Sequence, residues 1–406
     1  MTDIREITAY GLSSPLDPPL ERQFPDGYQR TIKRDMVLVK FETADGEVGY
    51  APAGASPSML GQHYEEPTLE HVVNLINTVV APTLRGANPD DIEGARESLS
   101  DITLPGFLKS QLVAAIDVAL YDIAGKRAGA PIYELLTEEE GVTPDLSLYA
   151  SGGQYLPPDE LVEQATRMSE LGFGAFKYRA GFGVETDRHV LAELVETVGD
   201  EMDIMVDCHL WWEGGESYDV ATVQDLVADF QDHGVYWVEE PVAPGRYEEY
   251  KILAETTNAP LAGGENEESV QSLIALAESG AVDFVQVDTP YHEGYTGCLR
   301  VAKRCAELDL AFTTHNFGSL LGLVTNAHLL AATPNEMYFQ CPTFLIDESS
   351  ASYSYPLATE ILKDDLDLSG GRFSVPDGPG LGVEIDLAVV EEYSFIDGPW
   401  TEFHYE

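Results

Sequence analysis

DIMVDCHLWWEGGESYDVATVQDLVADFQDHGVYWVEEP (203–241) is the stretch whose reading decides the fold. Two short apolar runs, DIMVDCH (203–209) and VYWVEEP (235–241), enclose TVQDLVADFQDHG (222–234), where apolar residues recur at three- and four-residue intervals. The runs read as buried strands and the segment between them as an amphipathic helix. The same rhythm continues on both sides. LSLYASG (146–152) and AFKYRAG (175–181) lie upstream; PLAGGEN (260–266), FVQVDTP (284–290), LAFTTHN (310–316) and MYFQCP (337–342) lie downstream. Helix-period segments such as DRHVLAELVETVG, SVQSLIALAESG, LRVAKRCAELD and LVTNAHLLAAT fill most of the gaps. Alternating β and α units predict a parallel sheet with right-handed crossovers. Eight units in roughly 210 residues fit a TIM-type β/α barrel. An open doubly wound sheet competes, but no Gly-x-Gly-x-x-Gly opens a helix.

Outside the barrel the pattern differs. DMVLVKFETADGEVGYA (35–51) reads as a hairpin around an Asp-Gly turn. LEHVVNLINTVVAPTL, DIEGARESLSDI and FLKSQLVAAIDVALYDIAGKRAG then carry helical periodicity. The expectation is an α/β protein with residues 1–135 as an α+β capping domain and 136–345 as the barrel. Residues 346–406 are a loop-rich segment that returns to the cap. Residues 13–30, SSPLDPPLERQFPDGYQR, read as a loop able to close over the barrel mouth and select the substrate.

Charge sets a further constraint. Seventy-one acids against 22 bases give a net charge of −49, spread along the chain. At about 1 M salt the Debye length falls to ~3 Å and such self-repulsion largely vanishes. The composition therefore reads as adaptation to a salt-loaded cytoplasm, as in haloarchaea. A disordered acidic chain is the competing reading, opposed by 10% aromatic content and regular periodicity. Nucleic acid and anionic membranes are poor partners for this charge. No apolar run approaches a membrane span, and the N-terminus does not read as a secretory signal. Cys208, Cys298, Cys305 and Cys341 form no CxxC pair and read as buried hydrophobes in a reducing compartment.

The chemistry is carried by residues at the ends of the apolar runs. Asp207, Glu239 and Glu265 end three successive runs, and Asp288 and His315 end the next two. Barrel strand ends surround one mouth, so these residues converge. A charge placed after a buried strand must be paired or must hold a metal. Three carboxylates form a hard, all-oxygen set suited to Mg²⁺ rather than Zn²⁺. One strand-end acid alone would more simply be a helix cap or half of an ion pair, and one histidine alone a satisfied core residue. Their common register argues otherwise.

In their order, VDCH, WVEEP, GGEN, VQVDTPYHEGYTG and TTHNFGSLLG resemble the mandelate racemase-like group of the enolase superfamily. AAIDVALYDIAGKRAGAPIYELL (114–136) and GPGLGVEID (378–386) extend that resemblance along nearly the whole chain. The resemblance implies Mg²⁺ held by Asp207, Glu239 and Glu265, with Glu239 rather than Glu240 as ligand, and a dyad of Asp288 and His315. It also implies a homo-oligomer. Lys177 and Arg179 share one strand face and point into the mouth. The family commonly carries Lys-x-Lys there; an arginine is a poor base but a good carboxylate clamp. His209 lies two residues after Asp207 on the same face, and the resemblance suggests a proton donor to a departing hydroxyl. Gln340 is expected to face the substrate from the eighth strand. Trp211 and Trp212 are candidates to wall the pocket. His292 reads as a solvated loop histidine and His328 as a structural one.

The resulting expectation is a Mg²⁺-dependent hydro-lyase acting on a sugar acid, an aldonate such as gluconate, galactonate or xylonate, to give a 2-keto-3-deoxy acid. A racemase or epimerase of the same superfamily is the first alternative. A non-catalytic acidic barrel, whose acids serve only hydration, is the second; it requires Mg²⁺ affinity to survive loss of Asp207, Glu239 or Glu265.

Overall fold

The computed structural model describes residues 3–24, 27–53, 69–137, 142, 144–153, 156–208, 218–333, 337–347 and 354–405. Strands β1 (Ile4–Phe24), β2 (Gly27–Thr43) and β3 (Val48–Ala53) form an antiparallel cap sheet. The hairpin expected at 35–51 is β2–β3, pairing Val37 with Ala53 through Glu42 with Val48. Its turn places Gly46 at φ 90°, a conformation that glycine adopts without Cβ strain.

The segment 13–30 departs from its expected loop. Its described residues continue the β1–β2 ladder, with Ser13 opposite Asp35 and Leu20 opposite Thr31. The register breaks between Pro15 and Leu20. Pro18 and Pro19 lie in that break, and prolines, which cannot donate to a ladder, hid the strand signal on both sides of it.

The helix Gly106–Ala128 packs on β3 and ends at Gly129, which adopts φ 68° and donates back to the last turn. A Cβ at Gly49 would sit 2.2 Å from the Ala119 carbonyl, so only glycine permits this approach. Asp122 on the same helix accepts from the Tyr50 and Leu381 amides, each at 2.9 Å, and pairs with Lys126 at 2.7 Å. One buried carboxylate thus ties the cap sheet to the C-terminal GPGLG segment.

Eight parallel strands follow: β4 (Asp145–Ser151), β5 (Ala175–Arg179), β6 (Asp203–Asp207), β7 (Val238–Glu239), β8 (Leu261–Gly263), β9 (Phe284–Val287), β10 (Ala311–Thr314) and β11 (Phe339–Pro342). They curl in the order β10-β9-β8-β7-β6-β5-β4-β11, with helices between successive strands. The expected β/α barrel is therefore present, with one irregular seam. Between β10 and β11 side chains replace the ladder: Thr313 Oγ1 donates to the Tyr338 carbonyl at 2.8 Å, and the Asn316 amide donates to Gln340 Oε1 at 3.1 Å. Tyr149, Ala175, Met205, Trp237 and Ala262 fill the barrel interior, with Tyr149 and Trp237 edge to face at 5.4 Å. After the barrel, β12 (Arg372–Ser374) pairs antiparallel with β4, and β13 (Thr401–Tyr405) pairs with β2 in the cap. All four cysteines are buried and unbridged. Among the described residues, no helix is long and apolar enough to cross a membrane.

His328 illustrates the cost of the dense packing. It is fully buried, stacks on Tyr133, and has Nε2 3.1 Å from the Leu381 carbonyl. Burial pushes its pKa down to about 4. The folded value lies below the unfolded one, so protonation opposes folding. This contribution is intact above pH 6.5 and is lost progressively as pH falls toward 4, by roughly 3 kcal/mol in full. Urea midpoints of His328→Gln are expected to fall less between pH 6.5 and 4 than those of the natural chain; parallel slopes would refute the assignment.

Candidate active site

Glu239 ends β7 at the centre of the barrel mouth. Trp237 Nε1 and Gln286 Nε2 donate to its Oε2 at 3.1 and 2.8 Å, and Lys177 Nζ lies 2.5 Å from its Oε1. Lys177 also sits 3.2 Å from Asp207 Oδ2. Asp207, Glu239 and Glu265 are all buried, and each offers an oxygen within 4.8 Å of those of the other two. Burial, offset by Lys177 and reinforced by the Asp207 and Glu265 carboxylates, pushes Glu239 up to about 8. Burial works against the Lys177 ammonium, but Glu239, Tyr149, Asp207 and Glu265 prevail and raise its pKa. The lysine is therefore a resident cation. Lys177 and Arg179, the latter 3.7 Å from Asp207, do not match three buried carboxylates in number, and the all-oxygen donors fit a hard divalent ion.

Backbone geometry decides which glutamate joins the cluster. Glu240 adopts φ 42°, in the left-handed region, and turns its carboxylate to the Asn266 amide and Nδ2 at 3.2 and 2.7 Å. Asn266 Nδ2 also reaches Glu265 Oε1 at 3.1 Å. Gly264, at φ 131°, makes the turn from β8 to Glu265; a Cβ there would lie 2.5 Å from the Gln286 carbonyl.

Asp288 and His315 meet across the tops of β9 and β10. His315 Nδ1 is 2.7 Å from Asp288 Oδ2, and its Nε2 is 3.3 Å from Glu265 Oε2. Burial would lower the His315 pKa, but Glu265 and Asp288 outweigh it and hold the ring above its ordinary value. Asn326 Nδ2 supports the other oxygen of Asp288 at 3.2 Å, and the Tyr291 ring lies 6.2 Å from the imidazole, centre to centre. One nitrogen is oriented by a carboxylate, and the other faces the acidic cluster.

Arg179 donates Nη1 to the Gly152 carbonyl at 2.7 Å and holds Nε 3.7 Å from Asp207. Gln340 is fully buried in the barrel seam: Oε1 accepts from the Asn316 amide, and Nε2 donates to Ser151 Oγ at 2.9 Å. Both ends of the amide are engaged in the seam, so Gln340 braces β10 against β4 here. His292 is not the solvated residue expected. It is buried, accepts from the Asp288 amide at 2.8 Å, and has its pKa pushed down to about 4 by burial. His209, Trp211 and Trp212 lie outside the described residues. Gln286, Trp237, Asn266 and Asn326 were missed at the sequence level. The available signal was polar or N–H-bearing side chains in otherwise apolar runs and a helix for Gln286, Trp237 and Asn326, and for Asn266 an amide in the turn just after β8.

Residues 27–137 match the mandelate racemase / muconate lactonizing enzyme N-terminal domain, and residues 160–389 match the enolase C-terminal domain-like family. The chain belongs to the enolase superfamily. D-xylonate dehydratase from Haloferax volcanii is 28% identical over 339 residues, 77% of this chain and 77% of the relative. D-galactarolactone cycloisomerase from Agrobacterium fabrum is 28% identical over 394 residues, 94% of this chain and 97% of the relative. The crystal structure of an enolase-superfamily member from Polaromonas sp. JS666 superposes with a TM-score of 0.82 at 28% identity, covering 98% of this chain and 99% of that one. This superfamily chain is thus similar both to a dehydratase and to a cycloisomerase.

Proposed function

We propose that the protein dehydrates a sugar acid, an aldonate, to a 2-keto-3-deoxy acid, with Mg²⁺ held by Asp207, Glu239 and Glu265. The supporting observation is an asymmetry of the mouth. On one side His315 is oriented by Asp288 and presents Nε2 toward the acidic cluster. On the other, Lys177 and Arg179 are drawn to carboxylates, and a guanidinium is a poor base. One face holds a base and the other holds cations.

When bound, magnesium supplies positive charge to the substrate carboxylate, which makes the neighbouring proton removable. His315 takes the C2 proton at Nε2. Asp288 accepts from Nδ1–H, fixes the tautomer, and offsets the charge that the ring gains. Lys177 adds an ammonium beside the same carboxylate, while Arg179 braces the tops of β4 and β6. As the C3–O bond breaks, the leaving hydroxyl takes a proton and departs as water; His209 is proposed as that donor. The enol left behind ketonises to the 2-keto-3-deoxy acid. Residues 136–345 are proposed as the catalytic barrel, with 1–135 and 346–406 as its cap.

A panel of aldonates incubated with Mg²⁺ in D₂O tests the reading. Keto acid equal in amount to the acid consumed, with deuterium at C3 of the product, is expected. Inversion or exchange at C2 without keto acid would establish epimerisation instead.

A further inference from the structure

Glu239 ends β7, Glu265 follows β8 and Asp288 follows β9, and two buried side chains tie together the segments beyond these three residues. Glu267, in the loop after β8, accepts through Oε1 from the Gly245 amide at 3.0 Å and through Oε2 from the Tyr247 hydroxyl at 2.9 Å, both beyond β7. Its carbonyl oxygen lies 3.0 Å from Nε2 of His292, in the loop after β9. Nδ1 of the same ring accepts from the Asp288 amide at 2.8 Å. A backbone N–H only donates, so Nδ1 carries no proton and the ring proton sits on Nε2, facing the Glu267 carbonyl. The neutral imidazole is thus an acceptor for one loop and a donor to the next.

We propose that His292 is a positioning residue that sets the spacing between the carboxylate cluster and the Asp288–His315 dyad, an inference that rests on the roles given to those groups above. A sugar acid placed for reaction has its carboxylate at the cluster and the proton of the neighbouring carbon at His315 Nε2. The two sites therefore engage adjacent parts of one small molecule, and a relative shift of about 1 Å can cost on the order of 100-fold in rate. Glu265 Oε2 and His315 Nε2 stand 3.3 Å apart, but they are carried by different strands. The Asp288 carboxylate that aligns His315 is itself oriented by Asn326, whose Oδ1 also accepts from the Thr289 amide at 2.8 Å. Those bonds fix the direction of the carboxylate. The His292 bridge fixes something else: it joins the backbone of Asp288 to the backbone two residues beyond Glu265, across one rigid ring. Glu267 extends the tie to the segment after β7, so the loops beside two cluster carboxylates and the dyad acid move as one body. Asparagine could replace the acceptor half of this bridge and glutamine the donor half, but neither side chain spans both at the imidazole's fixed spacing.

The test compares the natural chain with His292→Phe, which fills the ring's space without either bond, and with the half-bridges His292→Asn and His292→Gln. In the magnesium-loaded enzyme acting on an aldonate such as D-gluconate, His292→Phe is expected to lower kcat by about 10- to 100-fold. KM and the calorimetric Kd for Mg²⁺ should stay within about threefold of natural, because each site keeps its own groups and only their spacing changes. The half-bridges should fall between. Natural kcat in either half-bridge would overturn the proposal, and so would a loss of Mg²⁺ affinity as large as the loss of kcat. Histidine-selective heteronuclear NMR of the substrate-free protein reads the dyad directly. His292 should show the Nε2–H tautomer, and the His315 Nδ1–H signal should shift or broaden in His292→Phe. A proton on His292 Nδ1, or an unmoved His315 signal, would overturn the proposal. Since this readout needs no turnover, a moved His315 signal in a protein whose natural form makes no keto acid would sink only the dehydratase reading. Circular dichroism checks the fold of each variant; should His292→Phe fail to fold, the two half-bridges decide by the same readouts.

Discussion

His315→Asn is expected to lower kcat for sugar-acid dehydration by about 10³- to 10⁴-fold while leaving magnesium affinity within a few-fold of the natural value. Among the described residues, the His315 imidazole is the base whose partner leaves a nitrogen facing the acidic cluster: Nδ1 is committed to Asp288 at 2.7 Å, and Nε2 lies 3.3 Å from Glu265. Asparagine preserves a polar group at Nδ1 and removes the proton acceptor at Nε2. The side chain is not itself one of the three carboxylates, so calorimetric titration with Mg²⁺ should barely change. Exchange of the C2 proton with D₂O should fall in step with dehydration, because both need the same proton transfer. A variant that keeps a tenth of the natural kcat would show that another group removes the proton.

Lys177→Met should destabilise the metal-free protein by about 3–5 kcal/mol, the usual cost of stripping one partner from a buried ionic group. Lys177 is fully buried, 2.5 Å from Glu239 and 3.2 Å from Asp207, and methionine fills its volume without its charge. Glu239 and Asp207 then lose the ammonium between them, and only the Arg179 guanidinium, 3.7 Å from Asp207, remains beside the three carboxylates. A divalent ion that binds only the folded state should restore part of this loss by mass action. The denaturant midpoint in EDTA should therefore drop sharply, and the gap between EDTA and Mg²⁺ should widen relative to the natural chain. A variant that unfolds at the natural midpoint in EDTA would show that the cluster does not depend on this ammonium. The acid-induced loss of stability assigned to His328 has a different cause, burial of a neutral ring, and should be additive with this one because the two sites share no partner.

Most of the site was legible before any coordinates because barrel topology converts position along a strand into position in space. A residue ending a parallel strand faces the mouth whatever separates it from the next strand in sequence, so Asp207, Glu239, Glu265, Asp288 and His315 could be grouped from their register alone. What could not be read were contacts that depend on side-chain direction. Nothing in EEP says that Glu240 turns away at φ 42° to meet Asn266. Nothing in FQCP says that Gln340 closes the β10–β11 seam. His292 looked like a loop residue because its neighbours are polar, yet the chain folds it beneath Asp288. The prolines of residues 13–30 concealed a strand, since a ladder can be broken at one point and resume beyond it.

By itself the sequence determined the alternation of strands and helices, the acidic surface, and the set of oxygen and imidazole groups delivered to one end of a barrel, because hydrophobic period and strand register are local properties. Only the tertiary structure decided which groups neutralise one another, that Lys177 is spent as a cation between two carboxylates, and that His292 joins the Asp288 amide to the Glu267 carbonyl. Those outcomes depend on distances between residues far apart in the chain, and no local pattern encodes a distance of that kind.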